Sequence, residues 1–171
     1  IPVAIDNTWS AGWLLQPLRL GVNVSIQAAT KYIVGHSDVV QGAVIVDSPA
    51  LALRIGPAYE ALGLAIGADD AWLALRGLRT LPLRYAEQAR SMIQVAGWLA
   101  DRPQVSRVLH PALPGDPGHT LWKRDFSGAA SLFGVVMAGG HAGAAHAFLD
   151  ALNLFGLGYS WGGFESLITH E

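Results

Sequence analysis

The amino-acid sequence predicts an α/β protein that divides into two parts near Leu78. Three short apolar segments in the first part, with turn and helix material between them, are typical of a parallel sheet buried on both faces. Helical and strand-like segments alternate again from about residue 80, which predicts a smaller α+β or open α/β unit. With 171 residues and 51% hydrophobic composition, the chain can form a sizeable core.

The first part contains alternating strand and helix candidates. Its predicted strands are residues 2–5, Val22–Ile26 and Val39–Val46. Its predicted helices are residues 13–20, residues 49–66 and Asp69–Leu78. Gly21 favours an end to the first helix, and Ser48 before Pro49 predicts the start of the second. Gly56 and Gly63 are expected to interrupt this second helix.

The second part is expected to begin with the clearest helix candidate, Leu83–Leu99, which lies between Pro82 and Pro103. Because proline disfavours a continuing helix, these two residues predict its limits. Residues 110–119 are rich in proline and glycine, which indicates turns. The remaining candidates are strands at Val105–Leu109, Ala130–Met137, Tyr159–Trp161 and Glu165–Thr169, and a helix at Ala142–Leu152.

The composition argues against several classes of protein. A net charge of −2 without a basic stripe gives no electrostatic basis for binding nucleic acid or an anionic membrane. Apolar runs such as Ala129–Gly139 are too short to span a bilayer, and no signal peptide is visible. The chain has no cysteine, so it has no disulfides. We expect a soluble, cytoplasmic protein with no nucleic-acid or membrane partner.

The six histidines do not indicate a metal site. His141 and His146 are five positions apart, which does not place two ligands on one helical face, and His110 and His119 flank a turn-rich loop. These spacings favour surface or packing roles, and no metal is predicted. The sequence contains neither of the phosphate-binding motifs GxxxxGK[ST] and GxGxxG.

Asp6, Thr30 and Lys31 are the residues most suited to chemistry. Lys31 is one of only two lysines against nine arginines, and no other charged residue lies within several positions on either side of it. A lysine amine can lose its proton and attack a carbonyl, whereas an arginine cannot. The three side chains match what pyridoxal phosphate (PLP) requires: an amine for its aldehyde, a carboxylate for its ring nitrogen and a hydroxyl for its phosphate. The alternatives are a snorkelling lysine at a strand end and a turn or helix-cap aspartate.

Six segments in order resemble the Cys/Met-metabolism family of PLP-dependent enzymes, and within it the branch that cleaves carbon–sulfur bonds by β-elimination. These segments are DNTWSAG, SIQAATKYIVGHSD, RGLRTLPLR, HPALPGDPGH, WKRDFSG and YSWGGFESLI. The resemblance runs from the first residue to the last. It implies the aspartate-aminotransferase-like fold (fold type I), with residues 1–78 in the large cofactor-binding domain and residues 79–171 in the C-terminal domain.

The resemblance also implies the roles of individual residues. Lys31 is expected to bind PLP covalently and act in catalysis, with Asp6 as partner of the ring nitrogen and Thr30 as a phosphate contact. Ser160 and Trp161 match positions that line the pocket for the carboxylate of an amino-acid substrate. Many relatives carry a phosphate-binding serine where this chain has Ala28, so one phosphate contact is expected to come from elsewhere. Tyr32 and residues 36–38 belong to the family fingerprint, and we interpret them as mainly structural.

The implied reaction is β-elimination of L-cystathionine in methionine biosynthesis, by a homo-oligomer (a dimer or tetramer). A γ-synthase or γ-lyase of the same family is one alternative, and a fragment without turnover is another. We expect an internal piece of a longer protein, because the family's phosphate loop would precede Ile1 and its carboxylate-binding arginine would follow Glu171. Where γ-acting relatives usually read ESLGG, residues 159–163 read YSWGG, which favours β-elimination.

Overall fold

The computed structural model describes residues 1–139 and 142–171, and the chain divides into two compact units, Ile1–Pro82 and Leu83–Glu171. His141, which the sequence analysis assigned to no metal site, lies outside the described residues. Each unit has its own sheet structure and is described by itself. The assignment of residues 1–78 and 79–171 to two domains of known function stays a prediction.

The first unit contains a three-stranded sheet in the order β1-β2-β3. Its strands are β1 (Ala4–Asp6), β2 (Val24–Ala28) and β3 (Gly42–Val46). β1 pairs parallel with β2, so that Asp6 lies opposite Ile26. β3 pairs antiparallel with β2, and Gly42 lies opposite Ala28. The prediction of a purely parallel sheet was therefore wrong: residues 29–41 form a loop of turns and bends and not the helical crossover that a parallel pair needs.

The prediction that this sheet is buried on both faces was also wrong. Ser25 and Gln27 of β2 are buried, whereas Ile26 between them is 42% exposed and its cross-strand neighbour Val44 is 51% exposed. Alternate residues of a strand face opposite sides, so β2 presents one face to the interior and one to solvent. The buried face is polar at this point, which matters for the candidate site.

The helices of the first unit differ from the predictions in their extent, and residues 13–16, predicted to begin the first helix, are not helical. A short 3-10 helix spans Pro17–Leu20 and ends at Gly21, whose φ of 88° is left-handed as expected for a helix terminator. α1 (Pro49–Ala61) begins with Ser48, whose hydroxyl accepts the backbone N–H of Leu51 at 3.4 Å. This helix passes through Gly56 without a break and ends before the expected Ile66.

α2 (Ala68–Ala100) is one helix where the sequence predicted two. Pro82 lies inside it, at the end of the first unit. An internal proline costs a helix about 3 kcal/mol because it removes a backbone hydrogen bond and crowds the preceding turn. Leu81 and Tyr85 on either side are 3% and 2% exposed, so burial of apolar side chains around Pro82 offsets this cost.

The described residues of the second unit contain the remainder of α2, two small sheets and two short helices. Its elements are β4 (Val105–Leu109), α3 (His119–Asp125), β5 (Gly134–Met137), α4 (Ala142–Asp150), β6 (Gly156–Leu157) and β7 (Leu167–Ile168). β4 pairs antiparallel with β5, and β6 pairs parallel with β7. Met92 and Ala96 of α2 form a core cluster with Ala129, and Trp122 and Phe133 pack against it.

Two predictions for the second unit need correction. Helix α3 was not predicted: turns were expected only over residues 110–119, and no element was assigned to residues 120–125. The predicted strand Tyr159–Trp161 was wrong: the β6 ladder ends where the N–H of Gly158 donates to the carbonyl of Ile168. Gly162, with a φ of 83°, then redirects the chain away from an extended path.

Candidate cofactor site

Asp6 stands at the end of β1, where one of its carboxylate oxygens is already held. Asp6 Oδ1 accepts hydrogen bonds from the backbone N–H of Thr8 at 2.9 Å and from its hydroxyl at 2.6 Å. Oδ2 accepts no hydrogen bond from any described residue. The bond from the Thr8 hydroxyl has the largest effect and the bond from its backbone N–H the next largest, and together they hold the pKa of Asp6 below its ordinary value. Asp6 is therefore ionised at neutral pH and has one oxygen available to a ligand.

The expectation that Asp6 ends a buried strand was wrong. β1 is mostly exposed, and Asp6 itself is exposed. Burial would raise the pKa of a carboxyl group, whereas the two bonds from Thr8 lower it, and at this position the bonds have the larger effect. The carboxylate is stabilised by its hydrogen bonds, so the free-energy cost expected for an unpaired buried charge does not arise.

The turn after Asp6 is fixed by a buried polar network. Asn7 and Ser10 are 3% and 1% exposed, and the Ser10 hydroxyl donates to Asn7 Oδ1. Asn7 Nδ2 donates to the carbonyl of Leu15 at 3.2 Å, and its backbone N–H donates to the carbonyl of Ile26 at 2.8 Å. Buried polar groups that find partners in this way hold a segment in a single conformation. The turn therefore gives Asp6 a rigid support.

Lys31 lies in the first turn after β2, the strand that pairs with β1. Its backbone N–H donates to the carbonyl of Ala28 at 3.1 Å, and its carbonyl accepts the N–H of Gly35 at 2.9 Å. Lys31 is half-buried, whereas Tyr32 and Val34 are fully buried. These backbone bonds and buried neighbours fix the position of the lysine backbone. Asp6 thus ends β1, and Lys31 closely follows β2, the strand that pairs in parallel with it.

Thr30 is held by the backbone of Gln41. The Thr30 hydroxyl donates to the carbonyl of Gln41 at 3.2 Å and accepts the N–H of Gln41 at 2.8 Å. A hydroxyl has only one proton, so donation to a phosphate oxygen would replace the longer bond to the Gln41 carbonyl. The side chain can make the predicted phosphate contact by this exchange alone, while its accepted bond stays in place.

Helix α2 packs directly on the turn that carries Lys31. A Cβ atom on Gly77 would lie 2.2 Å from the carbonyl oxygen of Val34 and 2.4 Å from that of Ile33. Val34 also forms a core cluster with Val39 and Ala74. Only a residue without a side chain allows this approach, because both obstructing atoms belong to the backbone. Gly77 therefore permits α2 to cover the turn from one side.

The same turn is closed at its far end by residues of the fingerprint segment. His36 Nδ1 is 2.7 Å from the carbonyl oxygen of Val34, and Asp38 forms an ion pair with Arg76 of α2 at 2.8 Å. Gly35 and Ser37 have φ values of 69° and 57°, both in the left-handed region. These contacts support the interpretation of residues 36–38 as structural.

Ser160 and Trp161 belong to the second unit, and the structure describes them apart from Asp6, Thr30 and Lys31. Ser160 is exposed and Trp161 is half-buried, in a segment that follows β6. The carbonyl of Gly163 accepts a hydrogen bond from Gln88 Nε2 of α2 at 3.2 Å, which attaches this segment to the helix. The role of both residues in substrate binding stays a prediction.

Other features of the described residues bear on the predicted absence of a metal and of membrane segments. Residues 1–139 and 142–171 contain no group of three or more His, Asp or Glu side chains that could hold a metal ion. His110 is a packing residue, 1% exposed, and its Nδ1 accepts the N–H of Ala112 at 3.0 Å. None of the described helices has the length and hydropathy required to cross a bilayer.

Comparison with known protein families gives one match over the whole chain. The model of the family described as Cys/Met metabolism PLP-dependent enzyme matches residues 1–171. The chain is 51% identical over 166 residues to a cystathionine beta-lyase of Bordetella avium, covering 97% of this chain and 42% of the relative. It is 48% identical over 167 residues to cystathionine beta-lyase MetC of Escherichia coli K12, with the same two coverages. The chain thus spans less than half the length of these curated relatives.

A solved structure gives the corresponding result for the fold. The chain is similar to a cystathionine gamma-lyase from Lactobacillus plantarum in complex with L-serine, with a TM-score of 0.92 and 30% identity. The match covers 98% of this chain and 43% of that structure. The α/β fold of PLP-dependent enzymes, implied by the sequence resemblance, is confirmed.

Proposed function

Because the chain belongs to the Cys/Met-metabolism family of PLP-dependent enzymes, we propose that the protein containing it cleaves L-cystathionine by β-elimination. The products are homocysteine, pyruvate and ammonia. The observation that carries this proposal is the high identity, over almost the whole chain, to relatives named cystathionine beta-lyase. Since those relatives are more than twice as long, the activity is proposed for the protein as a whole.

The residues of the first unit fit PLP. The ionised Asp6 has an open Oδ2, which can accept a hydrogen bond from a protonated ring nitrogen. Lys31 provides a primary amine at the end of the neighbouring strand, and Thr30 a hydroxyl beside it. When bound, PLP supplies an aldehyde that reacts with amines and a protonated ring that accepts electrons. In this proposal Lys31, Asp6 and Thr30 hold the aldehyde, ring-nitrogen and phosphate ends.

Lys31 also moves the protons of the reaction. In its neutral form the Lys31 amine would remove the proton from the substrate Cα as a general base. The resulting ammonium then donates a proton to the sulfur that leaves Cβ, so the thiol departs uncharged. Asp6 stays ionised throughout and stabilises positive charge on the ring nitrogen. A single amine can perform both transfers because they occur one after the other.

Ser160 and Trp161 are proposed to line the pocket for the substrate carboxylate. Ser160 is an exposed residue, and a serine hydroxyl can donate a hydrogen bond to a carboxylate oxygen. Trp161 is half-buried, and its indole supplies apolar bulk that restricts the pose of the substrate. Gly162 and the bond from Gln88 to Gly163 support this segment from within the second unit.

Chemistry at Cγ is the second candidate, because the chain is also similar to a gamma-lyase structure. A γ-elimination requires a second proton transfer, from Cβ, and therefore a site with a further acid or base. Tyr159 and Trp161 stand where γ-acting relatives usually carry an acidic residue and a leucine. The loss of that carboxylate favours β-elimination. Tyr159 is 81% exposed, so its side chain is not buried by packing among the described residues.

Product analysis of the natural protein with L-cystathionine and PLP tests the proposal. We expect pyruvate and homocysteine in equal amounts. Release of 2-oxobutyrate and cysteine would mean that the protein is a γ-lyase and that the argument from residues 159–163 is wrong. The remaining alternative, a fragment without turnover, is tested by assaying a polypeptide limited to these 171 residues for pyruvate release.

A further inference from the structure

The Thr8 hydroxyl connects β1 to β2 through two hydrogen bonds of fixed direction. Its oxygen lies 2.6 Å from Asp6 Oδ1 and 2.8 Å from the backbone nitrogen of Ala28. The N–H of Ala28 can only donate, and an ionised carboxylate can only accept. The single hydroxyl proton must therefore point to Asp6, while a lone pair of the oxygen accepts from Ala28. Thr8 is 7% exposed, so water does not compete freely for either bond.

This arrangement fixes the orientation of the Asp6 carboxylate. The side-chain and backbone groups of Thr8 both bond to Oδ1, so rotation of the carboxylate would break two hydrogen bonds at once. Oδ2 is left as the oxygen available for a ligand. Because Asp6 is exposed and otherwise unbonded among the described residues, these bonds are its principal restraint.

The other end of the connection lies beside the candidate lysine. Ala28 is the last residue of β2, and its carbonyl accepts the N–H of Lys31. The Ala28 peptide groups thus join Thr8 on one side and Lys31 on the other. The Thr8 hydroxyl therefore fixes the position of the Asp6 carboxylate relative to the end of β2, where the turn that carries Lys31 begins.

We propose that Thr8 is a positioning residue for PLP, which holds Asp6 Oδ2 toward the ring nitrogen while the Ala28 N–H keeps the Thr8 hydroxyl in place. This inference rests on the proposed function, since it requires that Asp6 bind the ring nitrogen. It adds a residue that does not itself touch the cofactor and acts through the carboxylate.

Three variants of the natural protein test this role. Thr8→Val removes the hydroxyl and keeps the branched shape, Thr8→Ser keeps the hydroxyl, and Thr120→Val is a control at an exposed position of α3. A hydrogen bond to a charged group stabilises by an amount that corresponds to about tenfold to a hundredfold in a binding constant. We expect Thr8→Val to weaken PLP binding by about tenfold or more, with Thr8→Ser and Thr120→Val within about threefold of the wild type.

A second measurement separates positioning from general structural support. In the Asp6→Asn background, Thr8→Val should weaken PLP binding by less than about threefold, because the carboxylate on which Thr8 acts is gone. In the cofactor-free protein, Thr8→Val should raise the pKa of the Asp6 carboxyl, followed by 13C NMR. If Thr8→Val does not fold, Thr8→Ala serves in the same cycle.

Two results would overturn the inference. One is PLP binding in the folded Thr8 variant equal to that of the wild type, and the other is an equal loss with and without the Asp6 carboxylate. Failure of the proposed function itself is recognised separately: if Lys31→Ala leaves the visible absorption of the lysine-bound cofactor unchanged, the cofactor assignment is wrong whatever Thr8 does.

Discussion

Replacing Gly77 by alanine tests how closely α2 must approach the turn that carries Lys31. The added Cβ would lie 2.2 Å from the carbonyl oxygen of Val34, about 1.2 Å short of the 3.4 Å at which ordinary contact begins. A second carbonyl oxygen, that of Ile33, would lie at 2.4 Å. Neither atom can move by a change of rotamer, so the helix or the turn must shift as a unit.

Two effects of opposite sign determine the change in stability. Alanine is favoured over glycine inside a helix by about 1 kcal/mol, which stabilises the variant. Overpacking of a close contact costs about 1–3 kcal/mol, and more where backbone must move. Gly97→Ala supplies the matched control, because Gly97 is in the same helix and, apart from its chain neighbours and the adjacent helix backbone, no described atom lies within 4 Å of its Cβ position. The difference between the two variants isolates the steric cost.

We expect Gly97→Ala to raise the urea midpoint of the cofactor-free protein slightly and Gly77→Ala to lower it. The free energies of unfolding should differ by about 1–3 kcal/mol. Gly77→Ala should also retain PLP less well than Gly97→Ala, because the displaced carbonyls belong to the turn that begins at Lys31. Equal urea midpoints and equal PLP retention in the two variants would refute the idea that α2 supports this turn through Gly77.

Two further predictions concern Lys31 and His110. Lys31→Ala should abolish the visible absorption of the lysine-bound cofactor, while Lys123→Ala, which changes the other lysine of the chain, should leave it intact; the reverse result would move the covalent bond to Lys123. Burial lowers the pKa of His110 from its ordinary value of 6.5, although the Ala130 carbonyl and Asp116 oppose the shift. The folded state therefore holds the neutral form. Its contribution to stability should be fully present above pH 6.5 and be lost as the pH falls from there toward the lowered pKa. The free energy of unfolding of His110→Asn, which keeps an acceptor for the Ala112 N–H, should depend less on pH between about 7.5 and about 5.5 than that of the wild type. An unchanged pH dependence would show that His110 does not titrate on unfolding.

Elements defined by local chemistry were predictable from the sequence. The bounds of β4, the helix start after Ser48 and the stop at Gly21 all agree with the structure, because each depends on residues next to it in the chain. That Asp6 and Lys31 each follow a strand was predictable for the same reason. The direction of β3 was not predictable: β3 runs antiparallel to β2, and Thr30 bonds to Gln41 in the connection between them, a contact that alternation of apolar residues does not reveal.

The role suggested for Thr8 had a partial signal in the sequence. An aspartate followed two residues later by a hydroxyl-bearing residue often forms a turn in which the carboxylate accepts the later N–H, and Asp6 and Thr8 have this spacing. The second bond of the Thr8 hydroxyl, to Ala28, joins residues that are 20 apart in the chain. No local pattern contains that partner. The sequence could therefore indicate a turn at Asp6 but not that the turn is attached to the strand leading to Lys31.

Gly77 and Gly97 show why the support of the lysine turn could not be predicted. Both glycines lie inside α2, where each lowers helix stability relative to alanine. The neighbouring sequence does not distinguish the two positions. In the structure one faces two backbone carbonyls within 2.4 Å of its missing Cβ, and the other faces open space among the described residues. The difference lies in what the tertiary fold brings to each position. The effect of a side chain at a helical glycine therefore depends on tertiary packing. At Gly77 the packed atoms belong to the turn beside the candidate catalytic lysine.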